Sequence, residues 1–220
     1  MKTLLNVKRE LALAAHRAYT RGIQSGNGGN VSARVPGEDL MIIKPSGGSF
    51  IDCDENSWII TDFDGNILEG NAKPSGEALL HGTIYKYNPS AQAIIHGHAP
   101  YTNTIAYFHD HLPAYNYHSL FKLGGFTRVL DVPKPGVTKD EVRLIKELYE
   151  ETPDVKAFIL PRHGLVAVGK DSLDAEHNAE LVEETAQVAF MTELYGKSKG
   201  VTIPELTDEW WQSYLESKKK

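Results

Sequence analysis

Two histidines separated by one glycine follow a short apolar run in the segment AIIHGHAP, residues 93–100. In a β-strand the side chains of residues i and i+2 lie on one face of the sheet, so His96 and His98 are predicted to point the same way. Two imidazoles placed in this way can bind one metal ion. The alternative is a pair of histidines that form ordinary hydrogen bonds near the end of a strand.

A third histidine, His163, occupies a comparable position in LPRHGLVAVG, where it is again followed by glycine and an apolar strand. Three histidine ligands with one open position are the usual arrangement of a catalytic zinc site, whereas structural zinc sites are closed by four protein ligands. The sequence therefore predicts a metal centre formed by His96, His98 and His163. Surface or plain packing roles are predicted for His16, His109, His111, His118 and His177.

A carboxylate, Glu77, follows a Pro-Ser-Gly bend in KPSGEALLH and is predicted to lie in the first turn of a helix, with Ser75 as the N-cap. A carboxylate close to a bound metal could act as a general base. The alternative is that Glu77 only complements the helix dipole. His81, one turn further on, is either a further ligand or, as we expect, a buried hydrogen-bonding residue.

The elements that must position these residues alternate between helical and strand patterns. Apolar residues recur at helical spacing from about Thr3 to Arg21, and the Asp64-Gly65 pair favours a tight hairpin turn. Strands are predicted in LMIIKPSG, WIITDFDGNILEG, AQAIIHGH and KAFILPRHGLVAVG, and a turn leading into a strand is predicted in QSGNGGNVSARV. Further helices are predicted in SGEALLHGTIYKYN, PYTNTIAYFHD, TKDEVRLIKELYEE, SLDAEHNAELVEETAQVAFMTELYG and TDEWWQSYLESK. Interleaved strands and helices predict an α/β layered domain.

Composition narrows the class of protein. The chain has 220 residues, of which 41% are hydrophobic and 24% charged, and no linker divides it, so one domain over residues 1–220 is predicted. A net charge of −6 argues against a general nucleic-acid binder. A single cysteine, Cys53, excludes an intramolecular disulfide. The N-terminus is an amphipathic helix pattern and no segment suits a membrane span, so a cytoplasmic protein is predicted.

Five segments, in order, carry a resemblance to a known family: SGNGGNVSAR, IKPSG, KPSGEALLH, AIIHGHAP and LPRHGLVAVG. Together they resemble the successive signature blocks of the class II aldolase/adducin family, over about Leu4 to Gly196. That family includes fuculose-phosphate aldolase and ribulose-phosphate 4-epimerase. The resemblance implies a central, mostly antiparallel sheet flanked by helices. It also implies a homotetramer with active sites between subunits.

The resemblance assigns roles to individual residues. It implies that His96, His98 and His163 bind the metal, and that Glu77 is the base and can lie on the metal in the unliganded site. Tyr117 falls at the position of an active-site tyrosine donated by a neighbouring subunit, once a one-residue gap is placed before Gly124-Gly125, and Tyr115 is the alternative. The positions implied to bind the substrate's phosphate are Asn30, Ser46, Gly47 and Ser75.

Two departures from the family pattern bear on the substrate. The family block usually has Pro-Ser-Ser-Glu, whereas this chain has Gly76 before Glu77, so one hydroxyl is absent. The backbone N–H of Gly76 is still available, and Lys44 or Lys73 could contribute charge. Arg162 stands where asparagine is frequent; we expect it to pair with a surface carboxylate, the alternative being an acidic group of the substrate.

The resemblance implies a divalent-metal-dependent aldolase that cleaves a small ketose phosphate or related hydroxy-ketone through a metal-stabilised enediolate. One metal per subunit is expected, with Zn²⁺ as the first choice and Mn²⁺, Fe²⁺ or Co²⁺ as alternatives. A same-family 4-epimerase, decarboxylase or dehydratase shares the ligand set. A non-enzymatic, adducin-like structural module and a ligand-binding domain are the alternatives from other classes. Residues 200–220 are predicted to form a lid over the site.

Overall fold

The computed structural model describes residues 2–132 and 139–219. Its centre is an eight-stranded sheet with the strand order β4-β3-β2-β1-β5-β8-β7-β6. Strand β6 pairs with β7 in parallel, and the other neighbouring pairs are antiparallel. The strands are β1 (Asn30–Arg34), β2 (Leu40–Ile43), β3 (Ile59–Asp62), β4 (Ile67–Glu69), β5 (Ala93–Gly97), β6 (Arg128–Val129), β7 (Ala157–Leu160) and β8 (Gly164–Gly169).

Helices cover both faces of this sheet. They are α1 (Leu4–Thr20), α2 (Ala78–Tyr87), α3 (Pro100–Ile105), α4 (Tyr117–Leu123), α5 (Lys139–Glu151), α6 (Ser172–Lys199) and α7 (Asp208–Ser217). Along β5 the side chains alternate, so Ile95 packs with residues of α1 and α6 whereas Ile94 packs with residues of α2 and α5. The predicted α/β fold, a mostly antiparallel sheet flanked by helices, is confirmed.

The N-terminal helix forms where its pattern predicts. Thr3 caps α1 by accepting a hydrogen bond from the N–H of Asn6, and α1 ends at Thr20. Its buried stripe is rich in alanine, which lets α1 approach α6 closely. The predicted hairpin is confirmed: β3 pairs with β4, and Gly65 in the turn has a left-handed conformation. The predicted pairing of β7 with β8 is confirmed as well.

The predicted boundaries of two other helices were wrong. Helix α2 begins at Ala78 with Glu77 as its N-cap, so Ser75 does not cap it and Glu77 lies just before its first turn. The Ser75 hydroxyl instead accepts from the N–H of Glu77 at 3.3 Å. Helix α3 ends at Ile105, short of the predicted segment. For α5, the predicted start at Thr138 lies outside the described residues.

Helix α4 was not predicted, although its boundaries have local causes. Asn116 accepts hydrogen bonds from two N–H groups of the first turn, and a left-handed Gly124 ends the helix. Helix α7 packs beside it, with Trp211 buried against Ala114 and Leu120. The lid role of residues 200–220 stays a prediction. Within the described ranges, no helix is both long and apolar enough to span a membrane.

Candidate metal centre

The candidate centre lies where three antiparallel strands meet. Strand β5 runs between β1 and β8, so its end adjoins the start of each neighbour. His96 is in β5 directly opposite Asn30, the first residue of β1. His98 follows the end of β5, and His163 immediately precedes β8. Segments far apart in the sequence thus meet at one end of the central strands β1, β5 and β8.

The three predicted histidines come together as expected. One ring nitrogen of each lies within 4.8 Å of the others. The Nε2 atoms of His96 and His98 are 3.2 Å apart. His96 is fully buried, His163 is half-buried and His98 is exposed, so the centre is open to solvent on the side of His98. The prediction that the side chains of His96 and His98 point the same way is therefore confirmed.

The carboxylate of Glu77 lies against this cluster. Its Oε1 is 2.7 Å from Nε2 of His163, and its Oε2 is 3.3 Å from Nε2 of His96. The side-chain amide of Asn30 donates to Oε2 at 2.5 Å. The turn before α2 therefore aims Glu77 into the centre, and Asn30 fixes one of its oxygens.

The donor set fits a divalent cation. Nδ1 of His96 is 2.9 Å from the carbonyl oxygen of Leu165, and because a carbonyl only accepts, Nδ1 carries the proton. Nε2 of His96 is then a lone-pair nitrogen that faces His98 and the Glu77 carboxylate. Two imidazole nitrogens bound to one tetrahedral zinc ion are about 3.3 Å apart, given bonds of about 2.0–2.1 Å. The observed spacing matches this requirement.

Burial and neighbouring charges shift the pKa values of the three histidines and of Glu77. Burial lowers the pKa of His96 to about 3, and burial together with the charge of His163 lowers the pKa of His98. The hydrogen bond with Glu77 raises the pKa of His163. Burial opposes ionisation of Glu77, but the hydrogen bond from His163 and the charge of His96 hold its pKa well below the usual range. The neutral imidazoles of His96 and His98 beside the ionised Glu77 carboxylate suit a divalent metal, whereas His163 would have to release any proton that it holds before it could bind.

Residues that sequence reasoning missed support the centre. The side-chain oxygen of Gln24 accepts the backbone N–H of His98 at 3.0 Å, which fixes the chain just beyond β5. A Cβ on Gly164 would lie 2.2 Å from the carbonyl oxygen of Gly97, so only glycine lets β8 start this close to β5. No pattern in the sequence identifies Gln24, because its partner lies far along the chain.

The residues implied to bind phosphate lie at the start of β1 and on two loops, one after β2 and one before α2. Asn30 is buried, Ser46 and Gly47 are exposed after β2, and Ser75 and Gly76 precede Glu77. Tyr117 is 51% exposed and stacks on Trp210 with ring centroids 4.7 Å apart. Its hydroxyl makes no contact with the histidine cluster among the described residues. The alternative, Tyr115, donates to Glu193 at 3.3 Å.

The remaining predictions had mixed outcomes. His81 is buried and its Nδ1 bonds the hydroxyl of Ser32 at 2.6 Å, as expected. His109 and His111 are not simple surface residues, because each is half-buried and pairs with acidic side chains. The prediction that Arg162 pairs with a carboxylate is wrong for the described residues. Arg162 is exposed and has a left-handed φ of 61°.

Together, the layered sheet and the histidine–carboxylate cluster define an α/β protein with a centre that could hold one divalent cation. The family model for the class II aldolase and adducin N-terminal domain matches residues 9–190. The chain belongs to this family.

Similar proteins catalyse more than one reaction. A 3-oxo-tetronate 4-phosphate decarboxylase of Haemophilus influenzae is 31% identical, over 91% of this chain and 92% of that protein. A 5-deoxy-D-ribulose 1-phosphate aldolase of Bacillus thuringiensis is 32% identical, over 92% of each chain. A solved L-fuculose 1-phosphate aldolase superposes with a TM-score of 0.81 at 28% identity, covering 97% of this chain and 96% of that one.

Proposed function

We propose that this protein is a divalent-metal-dependent aldolase that cleaves a small phosphorylated ketose, or a related hydroxy-ketone, by retro-aldol chemistry. The observation that supports this most directly is the Glu77 carboxylate, which contacts His96 and His163 and is held by Asn30. A base placed beside a metal centre suits reactions in which negative charge develops next to a carbonyl group. The proposal includes a cytoplasmic location and a homotetramer with sites between subunits.

His96, His98 and His163 would hold the cation, which when bound would supply Lewis-acid stabilisation of the negative charge that develops as the carbon–carbon bond breaks. Zn²⁺ is the first choice for three imidazoles, with Mn²⁺, Fe²⁺ and Co²⁺ as alternatives. Glu77 would move the proton at the carbon that becomes nucleophilic. Asn30 would keep that carboxylate oriented through its 2.5 Å hydrogen bond.

Tyr117 of a neighbouring subunit would protonate the oxygen of the departing aldehyde. Its exposure in the single chain supports this role, since the side chain can reach a second molecule. Asn30, Ser46, Gly47, Ser75 and the N–H of Gly76 would bind the phosphate of the substrate.

A decarboxylase of a phosphorylated 3-oxo acid is the second candidate. It is favoured by the 31% identical 3-oxo-tetronate 4-phosphate decarboxylase from Haemophilus influenzae. The exposed Arg162 beside His163 has no carboxylate partner among the described residues, so it could face the carboxylate of such a substrate.

One substrate panel separates the candidates. The metal-loaded protein is incubated with ketose 1-phosphates, the matching unphosphorylated ketoses, pentulose 5-phosphates and 3-oxo acid 4-phosphates, and the products are identified by NMR. An aldehyde plus a hydroxy-ketone phosphate is the expected result. Release of CO₂ from the 3-oxo acid alone would favour the decarboxylase, and an inverted stereocentre without cleavage would favour an epimerase.

A further inference from the structure

Strand β1 carries polar side chains on the face of the sheet that packs against α2. Val31 and Ala33 point to the other face, where they pack with residues of α1 and α6. Because side chains alternate along a strand, Asn30, Ser32 and Arg34 point towards α2. Asn30 and Ser32 are buried, and burying a polar side chain costs free energy unless it is hydrogen-bonded.

The hydrogen-bond partners of β1 lie along one side of α2, at its N-cap and then at every fourth residue. The side-chain amide of Asn30 donates to Oε2 of Glu77 at 2.5 Å. The hydroxyl oxygen of Ser32 is 2.6 Å from Nδ1 of His81 and 2.8 Å from the hydroxyl oxygen of Tyr85. The buried polar groups of the two elements therefore satisfy one another.

Arg34 extends these contacts to the far end of α2. Its guanidinium donates to the backbone carbonyl of Tyr85 at 2.5 Å and to that of Ala91 at 2.8 Å. It also lies over the Tyr85 ring, 4.8 Å from the ring centroid. Strand β1 thus holds the helix at both ends. We call the six residues that make these contacts the polar ladder: Asn30, Ser32 and Arg34 on β1, and Glu77, His81 and Tyr85 on α2.

The spacing of the polar ladder suits a strand that lies beside a helix. Two residues along a strand advance about 6.8 Å. Four residues along a helix advance about 6.0 Å. The ladder positions of β1 and α2 therefore stay opposite each other. A slip of α2 by one residue would turn its side chains by about 100° around the helix axis and break these contacts.

His81 is the central member of the polar ladder. It is fully buried, and burial lowers its pKa to about 4, so the ring is neutral. Its Nδ1 is bound to Ser32, whereas its Nε2 has no hydrogen-bond partner among the described residues. A buried nitrogen without a partner costs stability, so an apolar ring of similar shape should be tolerated at this position.

The polar ladder bears on the metal centre through Glu77. Glu77 is the N-cap of α2 and its side chain makes no capping hydrogen bond, so its direction depends on where α2 lies. The backbone N–H of His81 donates to the carbonyl oxygen of Glu77 at 3.3 Å. The contact of His81 with Ser32 therefore fixes the backbone that carries the carboxylate, which lies 2.7 Å from Nε2 of His163.

We propose that His81 and Ser32 are positioning residues that hold α2 in register on β1, so that the Glu77 carboxylate is aimed at the metal centre. Catalytic groups must be placed closely, since a displacement of about 1 Å can slow a reaction about a hundredfold. The inference rests on the proposed function, because Glu77 is the base of that reaction.

The test compares His81→Phe with His81→Asn in the full-length, metal-loaded protein. Phenylalanine keeps a ring of similar shape but loses the bond with Ser32, whereas asparagine places a polar atom near the position of Nδ1. In His81→Phe, kcat should fall about ten- to hundredfold, whereas KM and the metal content should stay near their original values. His81→Asn should recover most of the lost turnover. An unchanged kcat in His81→Phe would overturn the proposal.

Thr83→Val is the matched control. The hydroxyl of Thr83 is also on α2, and it donates to the carbonyl oxygen of Leu79 within the same helix at 2.7 Å. The residue is buried but makes no contact with β1 through this hydroxyl. Its loss should leave kcat near the original value, because the register of α2 does not depend on it. A fall in kcat as large as that of His81→Phe would overturn the proposal.

A double variant separates positioning from a merely structural role. If His81 acts through the Glu77 carboxylate, then Glu77→Gln combined with His81→Phe should be no slower than Glu77→Gln alone, since the two substitutions remove the same contribution. If the two losses multiply in the double variant, His81 acts independently of Glu77, and the proposal is overturned.

A structural measurement needs no substrate. Ser32→Ala removes the central contact from the β1 side and covers the case in which His81→Phe does not fold. In crystal structures of the metal-loaded variants, the distance from the Glu77 carboxylate to Nε2 of His163 should be longer by about 1 Å or more. An unmoved carboxylate in either folded variant would overturn the inference alone. No turnover of any substrate by the unsubstituted protein would overturn the proposed function, and the measured distance would still decide whether the polar ladder aims Glu77.

Discussion

At the scale of single residues, the ring of His96 is the most constrained part of the candidate centre. It is fully buried, its Nδ1–H is committed to the Leu165 carbonyl, and burial keeps the ring neutral. Only Nε2 remains for a ligand. A histidine held this way loses little side-chain entropy when it binds a cation, so it should contribute strongly to metal affinity.

The metal centre can be tested by removing its β5 ligands. The double substitution His96→Ala and His98→Ala should reduce the metal content, measured by plasma mass spectrometry after gentle desalting, from about one ion per chain to a trace. His118→Ala with His177→Ala, two exposed histidines, is the matched control and should keep the metal. Metal retained in the His96/His98 variant would contradict the assigned ligands. Failure of the unsubstituted protein to take up Zn²⁺ or Mn²⁺ would revive the non-enzymatic alternatives.

Glu77→Gln tests the assigned base. The amide oxygen of glutamine can still accept the hydrogen bond from Asn30, but it cannot take up a proton, so kcat should fall about 10²- to 10⁴-fold. The three histidines remain, so the metal content should be unchanged. Glu184→Gln, on the exposed side of α6, serves as the control for a lost carboxylate. Turnover that persists in Glu77→Gln at the original rate would remove Glu77 from the mechanism.

At the scale of elements, the predictable parts are those set by local periodicity. The period of two in β5 was enough to place His96 and His98 on one face, and the apolar spacing of α1 was enough to locate it. The start of α2 was not predictable, because the Ser75 hydroxyl binds the N–H of Glu77 and the helix begins beyond it.

Contacts between residues that are far apart in the sequence cannot be predicted from local sequence patterns. The side-chain oxygen of Gln24 binds the chain just after β5. The two Lys-Pro-Ser-Gly segments, residues 44–47 and 73–76, are hydrogen-bonded to each other because the chain after β2 and the chain before α2 lie side by side. Four-residue copies of one sequence are too short to indicate such a pairing. The sheet register decides it, and that register follows from the packing of the whole chain.

The contact between α1 and α6 contains a second perturbed carboxylate. Glu176 is fully buried, and Nε of Arg17 donates to its Oε2 at 2.8 Å. Burial raises the pKa of Glu176 from its ordinary value of 4.5 to about 7, although Arg17 opposes the shift. Between these two values the folded protein binds more protons at this group than the unfolded chain. Its contribution to stability therefore falls as the pH rises from 4.5 to about 7.

Glu176→Gln should remove this pH dependence. In the unsubstituted protein the group should lower the free energy of unfolding by about 2 kcal/mol between pH 5 and pH 8. Urea unfolding of both proteins at several pH values would show a stability difference that shifts in favour of Glu176→Gln as the pH rises. Glu184→Gln is again the control. Parallel pH profiles for Glu176→Gln and the unsubstituted protein would contradict the assigned pKa.

At the scale of the whole molecule, the proposed function requires a tyrosine from a second chain. Tyr117 lies on α4, where it stacks on Trp210 of α7 and leaves half of its surface exposed. Helix α7 thus supports the tyrosine, and α4 presents it outward. In a cyclic homotetramer each chain would offer its Tyr117 to the histidine centre of a neighbour, which requires contacts between copies of the surface around α4.

Subunit complementation tests this arrangement. The metal-free variant His96→Ala/His98→Ala and the variant Tyr117→Phe should each have little activity alone. In tetramers formed from equal amounts of both, about a quarter of the sites combine an intact histidine centre with an intact neighbouring tyrosine, because neighbours assort at random in a closed ring. Co-expression with two affinity tags, light scattering to measure the oligomer mass and a cleavage assay should therefore recover about a quarter of the original activity in mixed tetramers. If the mixed tetramers are no more active than the more active of the two variants alone, each site is confined to a single chain. Repeating the experiment with Tyr115→Phe in place of Tyr117→Phe shows which of the two tyrosines the neighbouring chain supplies.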